Sequence, residues 1–201
     1  MAAKTFPVFR KCSPKMLTDS AGSQGEGRAM DQALQIYIDQ GEIHQILMRY
    51  CRAIDRCDEV LLASCYHDNA TYDYGDNNGL ASDFVKNTIP SLRQLAGTQH
   101  SVSNYYFLEL TNDRAKVESY CYAYHRIATP GSDTDMIVAG RYLDDFSKID
   151  SKWRIQHRTY IMDWNQNAPS TAIWDSGMFA GLSNRGDRFP QDITYDGNKH
   201  D

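Results

Sequence analysis

The most constraining feature of this sequence is a change of pattern after residue 95. The earlier part has apolar residues at helical spacing, and this period disappears in the later part. Four β-rich runs then follow one another, at residues 98–110, 115–127, 136–149 and 152–164. Turn signals separate these runs, at Asn112-Asp113, Pro130-Gly131 and Asp150-Ser151. Successive strands joined by short turns predict an antiparallel meander.

The earlier part of the chain predicts mainly helices. Apolar residues recur at helical spacing at Ile43, Ile46, Leu47, Tyr50 and Ile54. Asp58 is a suitable N-cap for a second, short helix. Residues 70–74 predict a strand, and residues 83–95 predict a third helix that Pro90 should break or kink. Helices followed by a curved antiparallel sheet indicate an α+β fold.

The two ends of the chain differ from the centre in composition. A length of 201 residues fits one domain, which we place at residues 30–164. Residues 1–29 lack a clear period and predict a flexible N-terminal arm, upstream of the natural domain. Residues 165–201 are rich in Asn, Asp, Gly and Pro, and predict an irregular C-terminal tail over the domain surface or the pocket mouth.

Charge and cysteine content limit the partners and cofactors. The formal net charge of −5 argues against nucleic acid, whose phosphates usually require a basic stripe. No apolar segment suits a secretory signal or a membrane span. The five cysteines lack a CxxC pair, which argues against a disulfide framework or a zinc site and favours reduced thiols in a cytoplasmic protein. Histidine spacing predicts no metal site, and no nucleotide-binding or hydrolase motif is found, so no cofactor is expected.

Asp55 and His100 are the first candidates for chemistry. Asp55 lies at the edge of the apolar stripe of the first helix, where a carboxylate is costly without a partner. The alternative is a solvated aspartate that pairs with Arg52 or Arg56. His100 begins the first long strand, and it gains a functional interpretation only if a carboxylate orients its ring.

Further candidates follow from the alternation of side chains along the strands. His100 shares a predicted face with Asn104 and Tyr106, which indicates either a pocket lining or a mixed exposed face. Arg158 is in phase with Tyr160 and Trp164 on the last strand, where it is either functional or covers aromatic rings with its stem. With Tyr72, the predicted substrate-binding residues are Asn104, Tyr106, Tyr72, Tyr160 and Trp164.

Several motifs in order resemble the SnoaL-like family of the nuclear transport factor 2-like superfamily. Residues 41–75 resemble its opening, a helix that carries a tyrosine or lysine and an aspartate five residues later, here Tyr50 and Asp55. The stretch HSVSN at 100–104 resembles its His-x-x-x-Asn strand, and the stretches at 140–146 and 153–158 resemble its final hairpin. The resemblance covers about residues 30–164 and implies a cone-shaped α+β barrel.

The nearest motifs are those of bile-acid 7α-dehydratase, scytalone dehydratase and hexachlorocyclohexane dehydrochlorinase. The resemblance implies a cofactor-free Asp–His dyad with His100 as general base and Asp55 as its orienting group. Tyr50 would be the acid or the carbonyl-polarising group, and Arg158 matches the arginine of the dehydrochlorinase. Tyr50 stands where that enzyme has lysine, so halide release is not the expected reaction.

The predicted function is a lyase of aromatic compound catabolism, acting on a hydrophobic small molecule. It would remove a proton from a bulky aromatic or polycyclic alcohol and eliminate water or a small aldehyde such as formaldehyde. The alternatives are an isomerase or polyketide cyclase of the same fold, a non-catalytic ligand-binding module, and an oxygenase β subunit. The resemblance further implies a homotrimer or a homodimer.

Overall fold

The computed structural model describes residues 22–195 and divides into two units, residues 1–35 and residues 36–201. In the first unit, the described residues are helical, and side chains 25–35 are exposed to solvent. The second unit contains every strand of the described residues and every candidate site residue.

The order of elements confirms the α+β fold and the β-meander. The helices are α1 (Gly22–Arg56), α2 (Glu59–Ala63) and α3 (Ala81–Leu92), with a short 3₁₀-helix at Gly177–Gly181. The strands are β1 (Tyr66–Tyr74), β2 (Asn77–Leu80), β3 (Gly97–Leu110), β4 (Arg114–Ile127), β5 (Thr134–Ile149) and β6 (Lys152–Pro169). The predicted N-cap is confirmed, because the Asp58 side chain accepts a hydrogen bond from the backbone N–H of Leu61 at 2.9 Å.

The six strands form one sheet in the order β2-β1-β6-β5-β4-β3. The neighbours from β3 to β6 are antiparallel, as is the β1–β2 hairpin. In contrast, β1 pairs with β6 in parallel, so the sheet is not purely antiparallel. The described sheet is curved but not closed, because β2 and β3 are edge strands rather than partners.

The core lies between the helices and the inner face of the sheet. The predicted stripe of α1 is buried, with Ile43 and Leu47 at 0% exposure. It belongs to one cluster with inner-face residues such as Val117 and Ile155, which are also fully buried. The effect of Pro90 differs from expectation. Pro90 is inside α3 but only two residues from its end, so no second helical segment follows it.

Several register shifts interrupt the pairing of the strands, and two of them lie beside predicted site residues. In β3 the register shifts between Ser103 and Tyr106, and Asn104 within this segment has a φ of 47°. In β5 and β6 the register shifts beside Gly140, where an added Cβ would lie 2.1 Å from the carbonyl oxygen of Ile161. Each bulge inserts a residue into one strand, so the alternation of side chains reverses beyond it.

The ends of the described elements differ from the sequence-based boundaries. Helical structure already includes residues 22–29, and β6 continues past Trp164 to Pro169 because it pairs with β5 over this length. The remainder of the predicted arm, residues 1–21, lies outside the described residues. The division into arm, domain and tail stays a prediction.

Candidate active site

The end of α1 and the beginning of β3 bring Asp55 and His100 together. One carboxylate oxygen of Asp55 accepts a hydrogen bond from the backbone N–H of His100 at 2.8 Å. The other lies 2.8 Å from Nδ1 of the same imidazole. Both side chains are 9% exposed, so the pair is largely shielded from water but still reachable.

This contact decides where the imidazole carries its proton. An ionised carboxylate only accepts hydrogen bonds, so Nδ1 of neutral His100 must be the donor toward Asp55. The second ring nitrogen, Nε2, then has a free lone pair and can accept a proton from a bound molecule. Asp55 also stabilises the imidazolium that such a transfer forms.

The alternative partners of Asp55 are engaged elsewhere. Arg52 donates to the hydroxyl of Thr194 at 3.1 Å, and Nη1 of Arg56 lies 3.5 Å from the carboxylate of Asp192. Asp55 as a whole residue, backbone included, is 6% exposed. The interpretation of Asp55 as a solvated aspartate paired with either arginine is therefore wrong.

A second imidazole, which the sequence did not single out, lies beside the pair. The rings of His100 and His125 are 5.3 Å apart and perpendicular. Nδ1 of His125 is buried and has no hydrogen-bond partner among the described residues. Burial, followed by the nearby His100, lowers the pKa of His125 to about 4. His125 is therefore neutral near pH 7.

His125 provides a test through the pH dependence of stability. Its pKa is lowered from 6.5 to about 4 on folding, so between these values the unfolded chain binds more protons than the folded chain. Stability is therefore lost as pH falls through this window. We expect wild type to lose about 1 kcal/mol more than His125→Gln between pH 7 and pH 5, after allowance for partial solvent screening. Urea unfolding at both pH values measures this difference, and equal losses would contradict it.

Tyr50 lies deeper among the aromatic residues of the core. It is 2% exposed, and its hydroxyl hydrogen bonds with that of Tyr74 at 3.2 Å. Burial and the neighbouring Tyr74 raise its pKa well above the ordinary value. Tyr50 is therefore a neutral hydroxyl, which can donate a hydrogen bond but is a poor base.

Arg158 is buried and paired. Its guanidinium donates two hydrogen bonds to Asp144, from Nε at 2.6 Å and from Nη2 at 2.7 Å, and neither side chain is exposed. The guanidinium also lies 4.0 Å from the ring centroid of Tyr50 and 3.9 Å from that of Tyr142. These contacts give Arg158 a structural role beside Tyr50, whereas its third nitrogen, Nη1, is buried without a hydrogen-bond partner among the described residues, so the predicted donor role stays a prediction.

Tyr72 and Tyr160 also belong to the interior. The hydroxyl of Tyr72 donates to the side chain of Asn77 at 2.6 Å, which ties it to the β1–β2 hairpin. Tyr160 packs against the rings of Tyr74 and Tyr142, and its own hydroxyl is buried without a partner among the described residues. Of these two predicted substrate contacts, Tyr160 is the one whose hydroxyl can still hydrogen bond with a ligand.

The structure contradicts the predicted common face of His100, Asn104 and Tyr106. Beyond the β3 bulge Tyr106 pairs with Glu118 on the outer face and is 66% exposed. Asn104 within the bulge is also exposed. On β6, Trp164 lies beyond the second bulge, where it contacts the ring of Tyr122 and is 49% exposed. Asn104, Tyr106 and Trp164 therefore do not surround the dyad in this chain.

A cavity of about 860 Å³ lies beside the dyad rather than around it. Its walls are the beginning of β3, including Thr98, and the C-terminal segment, which we define as residues 170–195 and which contributes Trp174, Phe179 and Arg188. His100 and Asp55 are not among its lining residues. The C-terminal segment therefore covers a cavity next to the candidate site.

In the described part of the chain, no group of three or more His, Cys, Asp or Glu side chains is placed to hold a metal ion. Four of the cysteines are free and buried, and burial raises the pKa of Cys51 to about 12. A thiol of this kind is a weak nucleophile near neutral pH. Within residues 22–195, no helix is long and apolar enough to cross a membrane.

Comparison with known proteins fixes the family. The SnoaL-like domain matches residues 36–159, which is more than half of the chain. The chain belongs to the SnoaL-like family. This places it in the nuclear transport factor 2-like superfamily and confirms the resemblance seen in its motifs. No curated protein sequence matches the chain at a significant level.

Solved structures share the fold of this SnoaL-like protein at low sequence identity. One, from Novosphingobium aromaticivorans and provisionally named a scytalone dehydratase, has a TM-score of 0.61 and 22% identity, over 70% of this chain and 95% of that one. A hexachlorocyclohexane dehydrochlorinase of Novosphingobium barchaimii has a TM-score of 0.59 and 16% identity, and the match covers 70% of this chain and 96% of that one. The Kfla4162 protein of Kribbella flavida has a TM-score of 0.59 and 19% identity, and the match covers 65% of this chain and 94% of that one.

Proposed function

We propose that this SnoaL-like protein is a cofactor-independent lyase in which His100 removes a proton from the substrate and Asp55 orients the imidazole. The observation that carries this proposal is the double contact between Asp55 and His100, at 2.8 Å to the ring and 2.8 Å to the backbone. The contact holds the ring in one tautomer with Nε2 free, which is the arrangement that a general base requires.

Two related reactions fit such a base. If Nε2 takes a proton from a C–H group, the electron pair forms a double bond and expels a hydroxyl group that leaves as water. If it takes a proton from an O–H group, the oxygen forms a carbonyl, a carbon–carbon bond breaks, and a small aldehyde leaves. The proton on His100 is returned to the departing oxygen in the first case and to the carbanion in the second.

Two further groups support negative charge that develops near the base. Tyr50 is a neutral hydroxyl whose partner, Tyr74, is also a hydroxyl, so the pair can rearrange to donate toward an anion. His125 is neutral near pH 7, and its ring lies next to His100. A neutral imidazole can donate or accept a hydrogen bond without adding a competing charge to the site.

The substrate class follows from the character of the interior. The rings of Tyr50, Tyr74, Tyr142 and Tyr160 contact one another in the interior. Tyrosine rings favour flat, apolar ligands and offer hydroxyls for orientation. We therefore infer that the substrate is a bulky aromatic or polycyclic alcohol. The names of two neighbours, a dehydratase and a dehydrochlorinase, support an elimination.

The reaction class is tested by incubating the protein with a panel of aromatic and steroid alcohols and analysing the products by mass spectrometry. We expect a mass loss that corresponds to water or to formaldehyde. A product of unchanged mass would instead indicate an isomerase or a cyclase, which begin with the same proton removal. Tight binding without any product would support a ligand-binding module and contradict the lyase.

Asp55→Asn is expected to lower turnover of the substrate found in this way by about 10²- to 10⁴-fold. The amide can still accept at one atom, but it offers a donor at the other and no longer stabilises the imidazolium. Steady-state kinetics measure the loss. The matched control is Asp58→Asn, a nearby buried aspartate that caps α2 and should retain most of the activity. Full activity of Asp55→Asn would contradict the proposed role.

A further inference from the structure

The C-terminal segment contacts both elements that carry the candidate base and its partner. The guanidinium of Arg188 donates hydrogen bonds to the backbone carbonyl of Asp55 and, at 2.7 Å, to the hydroxyl of Thr98. It also donates to the carbonyls of Leu92 at 3.3 Å and Leu95 at 3.4 Å, near the end of α3. The segment lies after residues 36–159, so it is outside the part matched by the family.

Two of these acceptors belong to the elements that carry the dyad. Asp55 supplies the carboxylate, and Thr98 lies on β3 two residues before His100 and pairs with His125 across the β3–β4 ladder. A guanidinium has five N–H donors in a rigid plane, so it can hold several acceptors at fixed positions. Its partners among the described residues are a hydroxyl and carbonyls at or just after the ends of α1 and α3. The carbonyls at a helix C-terminus carry partial negative charge, so a positively charged side chain is stabilised there.

Neighbouring contacts of the C-terminal segment hold Arg188 in place. The backbone N–H of Phe189 donates to the carbonyl of Arg56 at 2.6 Å, and Arg93 donates to the carbonyls of Phe189 and Cys57, each at 3.0 Å. Nη1 of Arg56 in turn donates to the carbonyl of Asp187 at 3.1 Å. The backbone on both sides of Arg188 is thus tied to the end of α1.

We propose that Arg188 is a positioning residue, which fixes the end of α1 against the beginning of β3 and thereby holds Asp55 and His100 at hydrogen-bond distance. This inference rests on the proposed function of the pair. Without Arg188, the carbonyl of Asp55 and the hydroxyl of Thr98 lose a shared donor, and the two elements can separate. The Nδ1–H···carboxylate contact then loosens, although neither dyad residue has been changed.

The test is nuclear magnetic resonance of ¹⁵N-labelled full-length protein without any substrate. The Nδ1 proton of His100 gives a low-field resonance while it is held by Asp55. We expect Arg188→Met to move this resonance and to speed its exchange with water by about tenfold or more, since the restraint of one charged donor is lost. Asp55→Asn provides the reference spectrum for a broken pair.

The matched control is Arg185→Met in the same segment. Arg185 donates to the carbonyls of Leu182 and Trp174 and pairs with Asp175, so its described contacts remain within the C-terminal segment. Its removal should leave the His100 resonance unchanged. An unchanged resonance in folded Arg188→Met would overturn the proposal.

If Arg188→Met does not fold, Thr98→Val and Arg188→Lys decide the question. Thr98→Val removes one acceptor and keeps the shape of the side chain, whereas Arg188→Lys keeps the charge and loses the planar fork. Faster exchange in both variants supports the proposal, and wild-type exchange in both overturns it. Because these spectra need no turnover, they separate a failure of the positioning role from a failure of the lyase function.

Discussion

Replacement of His100 by alanine is expected to lower turnover by about 10³-fold while the protein remains folded, because the general base is lost and the rest of the interior is kept. The measurement is the rate of product formation by mass spectrometry, on the substrate identified from the alcohol panel. Circular dichroism of the same preparation checks the fold. Unchanged turnover would refute the role of His100 as the base.

Two additional variants separate chemistry from stability in this experiment. His100→Asn keeps an N–H donor close to the position of Nδ1 but has no basic nitrogen, so it should be as inactive as alanine and more stable. His157→Gln is the matched control, because His157 hydrogen bonds with Thr71 at 2.7 Å and Thr159 at 3.2 Å, on another part of the sheet. Comparable losses in His157→Gln and His100→Ala would indicate a general effect of histidine removal.

The buried pair of Asp144 and Arg158 should give the largest effect on stability. Asp144→Ala leaves the guanidinium buried without its partner carboxylate, and such a change costs about 3–5 kcal/mol of unfolding free energy. Urea unfolding at pH 7 measures this loss. Asp145→Ala changes the next residue, which forms an exposed ion pair with Lys116 at 3.5 Å, and should cost less than about 1 kcal/mol.

A double variant tests why Asp144→Ala is destabilising. Arg158→Met with Asp144→Leu removes both charges together and fills the space with apolar groups, so it should recover most of the loss. If the double variant is as unstable as Asp144→Ala, the cause is the loss of packing and aromatic contacts around the guanidinium rather than the unpaired charge. If Asp144→Ala is nearly neutral, the interpretation of Arg158 as a charged structural residue is wrong.

The candidate site was partly predictable because the family motifs fall within continuous elements. Tyr50 and Asp55 lie on one helix, and His100 begins a strand, so their order along the chain was sufficient to select them. Asn104, Tyr106 and Trp164 could not be placed in this way. The alternation of side chains holds only while the register between two strands is constant. Asn104 lies within a bulge of β3, and Tyr106 and Trp164 each lie beyond a bulge.

His125 lies in phase with the buried face of β4. It follows Cys121 and Ala123 at a spacing of two, and both of these residues are buried on the inner face. Its phase was therefore readable, but its contact with His100 depends on the β3–β4 register. The register results from the pairing of two strands, and a local pattern in one strand does not contain it.

The sequence by itself determined the order of helices and strands and the buried stripe of α1, because each depends on local spacing, and the family motifs singled out Asp55 and His100 as candidates. The tertiary structure alone decided that Asp55 binds His100, that Arg158 pairs with Asp144 in the core and that Arg188 reaches the end of α1. These contacts join distant parts of the chain, up to 133 residues apart for Arg188 and Asp55, and they depend on burial and on strand register. Neither burial nor register can be read from a local window of residues.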